Sequence, residues 1–168
     1  MDNEENKDHF LEVYDRYSDD IFRFCVLKVS SRAVAEDLTQ EVFMRFWQQL
    51  RAGTEIGNER ALLYAMARNL VIDWYRKRKE QSLDMLQEEG FEFANDDHTS
   101  IKRNAEMREV LDVIKDLDEP SREALTLRFV EGFSPMEIAA LSGETANAVS
   151  VRINRALKKV QEHLHVHD

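Results

Sequence analysis

A chain of 168 residues, 43% of them hydrophobic and 33% charged, carries enough apolar content for one domain or two small ones and is not composed like a disordered protein. Its formal net charge of −10 repels nucleic acid overall, so contact with DNA requires local clusters of Lys and Arg. No apolar run approaches the ~20 residues of a membrane span. The acidic start Met1-Asp2-Asn3-Glu4-Glu5 is unlike a secretory signal, and the lone Cys25 excludes an intramolecular disulfide and argues against a cysteine zinc site. A reducing cytoplasm is the expected compartment.

No stretch alternates with period two, and the apolar residues recur at three and four, so the chain reads as all-α. In the first block, Phe10, Val13, Tyr14, Tyr17, Ile21, Phe24 and Cys25 form one stripe. Leu38, Val42, Phe46 and Leu50 form a second, and Leu63, Met66, Ala67, Leu70 and Trp74 a third. Three helices that each bury one stripe suffice for a bundle. The loop from Arg51 to Asn58, with two glycines, separates the second helix from the third.

The composition then changes. From Glu80 to Ile101 there are seven acidic residues and no Lys or Arg. Two readings stay open for this stretch: a flexible solvated linker, or an extended tether whose carboxylates stand in for phosphates in a basic channel. Beyond it, Ile101, Val110, Leu111, Ile114 and Leu117 predict a helix that ends before Pro120. Another is predicted through Ala124, Leu125, Leu127 and Phe129 to Gly132.

The last fifty residues follow the pattern of a helix-turn-helix. Ser134-Pro135-Met136-Glu137 is a capping box with proline at the first helical position, opening a short helix through Ile138 and Leu141. Gly143 suits the positive φ of a tight turn, and Thr145 suits a cap. In the next helix Val149, Ile153, Ala156, Leu157, Val160 and Leu164 face a core. Asn147, Val151, Asn154, Arg155 and Lys158 lie opposite, with Arg152 and Lys159 on the flank, and no acidic residue intervenes between Thr145 and Lys159. That face is suited to phosphates and base edges; an ordinary helical hairpin with a solvated outer face is the alternative. His163, His165 and His167 alternate as ligands on a strand would, but a helix end holds them, so no metal role is expected.

Two further stretches narrow the field: Asp37-Leu38-Thr39-Gln40-Glu41-Val42-Phe43-Met44-Arg45-Phe46-Trp47, and Leu63-Tyr64-Ala65-Met66-Ala67-Arg68-Asn69-Leu70-Val71-Ile72-Asp73-Trp74-Tyr75-Arg76-Lys77-Arg78. With the terminal helix-turn-helix, in this order and spacing, they resemble the extracytoplasmic-function (group 4) sigma factors of the sigma-70 family, from about His9 to Leu164. The resemblance implies a transcription initiation factor with no enzymatic chemistry and no cofactor. It implies two helical domains, residues 1–79 and 101–168, joined by an acidic linker at 80–100.

By the same resemblance, Asp37, Gln40, Glu41, Met44 and Arg45 bind core RNA polymerase at the clamp helices of its largest subunit, and the flap is a further partner on the polymerase. Phe43 and Trp47 stay open between that surface and the core. Arg68, Asn69, Ile72, Arg76, Lys77 and Arg78 bind the minus-ten element as single-stranded DNA, with Asn69 at an extruded base. Ile72 is itself a hint of contact, being costly on a face meant only for water. Tyr64 and Tyr75 stay open between stacking on bases and packing.

The resemblance further implies that Asn147, Ser150, Val151, Arg152, Arg155, Lys158 and Lys159 read the minus-35 duplex, the last two on phosphate. Glu144 and Ser150 depart from the family's usual apolar and basic residues. An anti-sigma protein is an expected partner. The competing expectation is a conventional helix-turn-helix regulator that binds duplex DNA without polymerase.

Overall fold

The computed structural model describes residues 2–84, 109 and 112–166, and the chain divides into two units, Met1–Ala94 and Asn95–Asp168. Among the described residues there are helices and no strands, as the periodicity predicts.

The first unit contains α1 (Asn3–Val29), α2 (Arg32–Arg51) and α3 (Glu59–Asp84). Asp2 caps α1 by accepting from the Asn3 amide, and Glu4 and Glu5 in the first turn complement the helix dipole. Ser30 ends the helix in the left-handed region at φ 53°, its amide donating to the Val26 carbonyl. Ser31 then caps α2 by accepting from the Val34 amide at 3.3 Å. This two-residue link turns the chain back on itself. Asn6 donates to the Leu50 carbonyl at 3.4 Å and Phe10 stacks on Phe46 at 6.2 Å, while Cys25 meets Thr39 nearer the link. The two helices are therefore antiparallel.

Asn58 caps α3 by accepting from the Ala61 amide at 3.0 Å. This helix runs parallel to α1: His9 pairs with Glu59 at 2.5 Å, Phe24 meets Tyr64, and the Tyr75 hydroxyl donates to the Lys28 carbonyl. The three predicted stripes converge, burying Ile21, Phe24, Val42, Phe46, Leu63, Ala67 and Leu70, whereas Tyr14 of the first stripe is exposed. Phe43 joins them, packed edge-on against Tyr14, whereas Trp47 is half-buried against Phe10. The expected boundary at residue 79 falls within α3, which continues through residues 80–84; no glycine or proline interrupts the chain there. The remainder of the expected acidic linker lies outside the described residues, as do Ile101, Val110, Leu111 and His167.

In the second unit residues 112–115 are helical and Leu117 is buried. Asp118 caps α4 (Glu119–Leu125), accepting from the Ser121 amide at 3.2 Å, with Pro120 in the first turn. The predicted helix to Gly132 continues as a π turn over Thr126–Val130, where the Glu131 amide reaches back five residues to the Thr126 carbonyl. Gly132, at φ 76°, turns the chain so that Phe133 is buried. The capping box of Ser134 and Glu137 opens α5 (Pro135–Ser142), and Gly143 closes it at φ 73°. Thr145 accepts from the Ala148 amide at 3.1 Å to start α6 (Ala146–Val166), which buries Val149, Ile153 and Ala156. His163 and His165 are exposed in the last turn of α6.

Candidate functional site

Three helices, α2, α3 and α6, carry the residues singled out by sequence. On α2, Asp37, Gln40, Met44 and Arg45 are exposed and Glu41 is half-buried, all within one arc of the helix. Arg45 donates to Glu41 at 2.9 Å, so those two charges are already matched and Asp37 contributes the net negative charge of the arc. Beside it opens a groove of about 690 Å³, lined by Gln40 and Met44 with Phe10, Leu11, Tyr14, Phe43 and Trp47 from the two antiparallel helices. Met44 is 57% exposed, and Leu11 and Tyr14 are exposed as well. Sequence reasoning missed the α1 wall of this groove. Leu11 was the available signal, a leucine off the buried stripe.

The candidate set on α3 separates into two groups. Arg68, Asn69, Ile72 and Arg76 share one face, with Ile72 49% exposed and Arg68 half-buried. Arg76 forms an ion pair with Asp73 at 3.0 Å. Lys77 and Arg78 project elsewhere, since residues one and two further along a helix turn away from the face. Arg78 lies over the Trp74 ring at 5.1 Å, a cation–π contact that fixes it in place. Both open tyrosines are packing residues. Tyr64 is buried against Phe24, and half-buried Tyr75 spends its hydroxyl on the Lys28 carbonyl.

On α6 the exposed arc is Asn147, Val151, Asn154, Arg155 and Lys158, with Lys159 exposed on one flank and Ser150 half-buried on the other. Arg152 is the exception to expectation. Its Nη1 lies 2.5 Å from Glu144 Oε1, and each side chain is only 28% exposed. The bond to Glu144 holds the guanidinium charged above its ordinary range, against the opposing effect of burial. The hydrogen bond from Ser121 holds the Asp118 carboxyl below the usual carboxylate range. Phe129, in the helix predicted to run to Gly132, is 60% exposed. In a regular α-helix it would follow buried Leu125 on one face; the extra residue of the π turn carries it outward beside exposed Val130. Nothing in the sequence signals that turn.

The family model described as sigma-70 region 2 matches residues 13–81, and that of sigma-70 region 4 matches residues 107–160. The chain is 31% identical over 154 residues to the extracytoplasmic-function RNA polymerase sigma factor SigM of Bacillus subtilis, covering 88% of this chain and 91% of that relative. The chain belongs to the extracytoplasmic-function sigma factors of the sigma-70 family. The sigma factor is also 31% identical over 156 residues to BldN of Streptomyces coelicolor, spanning 90% of its own length but 58% of that relative's. Identity to SigX of Bacillus subtilis is 25%, over 92% of this chain and 83% of the relative.

Two solved structures share the sigma factor's fold. One is the sigma factor RpoE in complex with the anti-sigma factor NepR from Bartonella quintana, with a TM-score of 0.71, 24% identity, and coverage of 96% of this chain and 98% of that one. The other is CnrH in complex with the cytosolic domain of CnrY, at 0.69 and 23%, covering 96% and 91%. Among the described residues, no helix is long and apolar enough to cross a membrane.

Proposed function

We propose that this sigma factor binds core RNA polymerase through its first unit and directs it to promoters by reading two DNA elements with separate units. One observation carries the reading: a region-2 module and a region-4 module occur in one chain, each presenting an exposed face of the type its partner requires. The arc of Asp37, Gln40 and Met44 with the adjoining groove is the polymerase surface. Its acidic residue meets basic partners and its apolar wall supplies buried area. Glu41 and Arg45 form the polar rim of that surface, matched to one another.

Arg68, Asn69, Ile72 and Arg76 form the minus-ten surface. Asn69 offers a donor and an acceptor to an extruded base, while the arginines hold phosphates. Lys77, being off that face, contributes only long-range attraction. The α6 arc enters the major groove at the minus-35 element, with Asn147, Val151 and Arg155 at base edges and Lys158 and Lys159 on the backbone. Ser150, at the edge of the arc, adds a hydroxyl contact.

An anti-sigma protein that covers the groove or the α2 arc is the natural inhibitor, because it would compete directly with polymerase. The function is non-catalytic and uses no cofactor. Runoff transcription with purified bacterial core polymerase and a promoter library tests the proposal. The expected result is initiation at a defined subset of promoters only when the chain is added. Binding to promoter duplex without polymerase, and no effect on transcription, would instead identify a conventional regulator.

A further inference from the structure

Glu144 stands between Gly143, the left-handed residue of the turn, and Thr145, the cap of α6. Its amide donates to the Ala139 carbonyl at 3.1 Å, so the turn itself fixes the backbone that carries the carboxylate. Helical side chains lean toward the N-terminus of their helix. Arg152 therefore reaches back along α6 to meet Glu144, Nη1 to Oε1 at 2.5 Å. Asp118 and Glu123, from the start and middle of α4, add negative potential at the same guanidinium. One carboxylate bonds the arginine and two others attract it by their charge; Arg152 sits roughly 120° around the helix from the arc of Asn147, Val151 and Lys158.

We propose that Glu144 withholds Arg152 from DNA and thereby makes duplex binding by the recognition helix more selective. The inference rests on α6 being the duplex-reading helix. An arginine free to swing onto a phosphate strengthens binding to every sequence alike, since phosphate contacts carry no base information. A charge-assisted bond to a half-buried carboxylate removes that sequence-blind contact. Base edges are left to Asn147, Val151 and Arg155, and Arg152 becomes a positioning residue that ties the turn and α4 to the helix.

The test measures binding of the full chain to a random-sequence 30-base-pair duplex by fluorescence anisotropy, across a range of salt, for wild type, Glu144→Gln, Glu144→Ala and each combined with Arg152→Ala. Release of Arg152 adds about one phosphate contact, which steepens the log–log salt dependence by about 0.9. The Glu144 variants then gain about 3- to 4-fold more over wild type at 50 mM than at 200 mM salt. Arg152→Ala abolishes the gain. An unchanged slope, including one accompanied only by lowered thermal stability, overturns the proposal, and so does a gain that survives Arg152→Ala. The assay needs neither polymerase nor a promoter. Failure to bind polymerase would therefore sink the proposed function while leaving this result to stand or fall alone.

Discussion

The Tyr64 ring meets the Phe24 ring edge-on, centroids 5.5 Å apart and planes at 74°, and both side chains are fully buried. This contact joins α1 to α3 at the centre of the first unit, on the same helix that presents Asn69 to solvent. The position of the face proposed to bind single-stranded DNA thus depends on a buried aromatic pair.

Replacing Tyr64 with Ala is expected to destabilise the first unit by about 3–5 kcal/mol, as truncation of a buried aromatic does. Urea unfolding measures it. A loss below ~1 kcal/mol would mean that the ring is not packed as described.

Cys25 lies in the same core, and burial pushes its thiol up to about 12, against the opposing hydrogen bond with Thr39. In the unfolded chain the thiol ionises near its ordinary value, so the unfolded state loses its proton first as pH rises. Stability from the buried neutral thiol is full below that ordinary value and declines as pH climbs toward 12. Unfolding midpoints at pH 8 and pH 10.5 should therefore fall more steeply for wild type than for Cys25→Ala. The native thiol should also resist alkylation at pH 8 until denaturant is added.

Asp37 and Gln40 are exposed on α2, so a double alanine variant should melt like wild type. Its affinity for core polymerase should drop about tenfold or more, ~1.4 kcal/mol. Met44→Asp, which puts a charge at the mouth of the apolar groove, should weaken binding similarly. Unchanged affinity in both variants would remove this face from the interface.

Asn69 and Lys77 provide an internal contrast on α3. Asn69→Ala should reduce promoter opening by about 1–3 kcal/mol, whereas Lys77→Ala, off the shared face, should have a smaller effect that fades with salt. Equal losses from both in runoff assays would contradict the separation of the two groups.

Arg155 lies within the exposed arc of α6 and Arg152 outside it. Arg155→Ala should cost about 1–3 kcal/mol on a minus-35 duplex bound by the holoenzyme, with relaxed preference at one base pair. Arg152→Ala should lower the thermal stability of the second unit without relaxing that preference. The opposite pattern would reassign the two arginines.

The sequence by itself determined the helices, because their signals are local. Apolar residues at three and four marked the buried stripes, and the Ser134–Glu137 capping box, Gly143 and Thr145 set the turn of the second unit within a few residues. The exposed arc of α6 was equally legible, since helical periodicity assigns one face once the other is buried. Only tertiary structure decided which polar and aromatic residues are already engaged. Tyr64 packs because α1 brings Phe24 to it, 40 positions away in the chain, and the groove beside Met44 exists because α1 supplies Leu11 and Tyr14 as its second wall. Arg152 is occupied because a turn places Glu144 within reach, and Phe129 faces outward because one helical turn accommodates an extra residue. Periodicity reports which way a side chain points along its own helix. What it meets there depends on a second element, whose position is fixed only when the cores close.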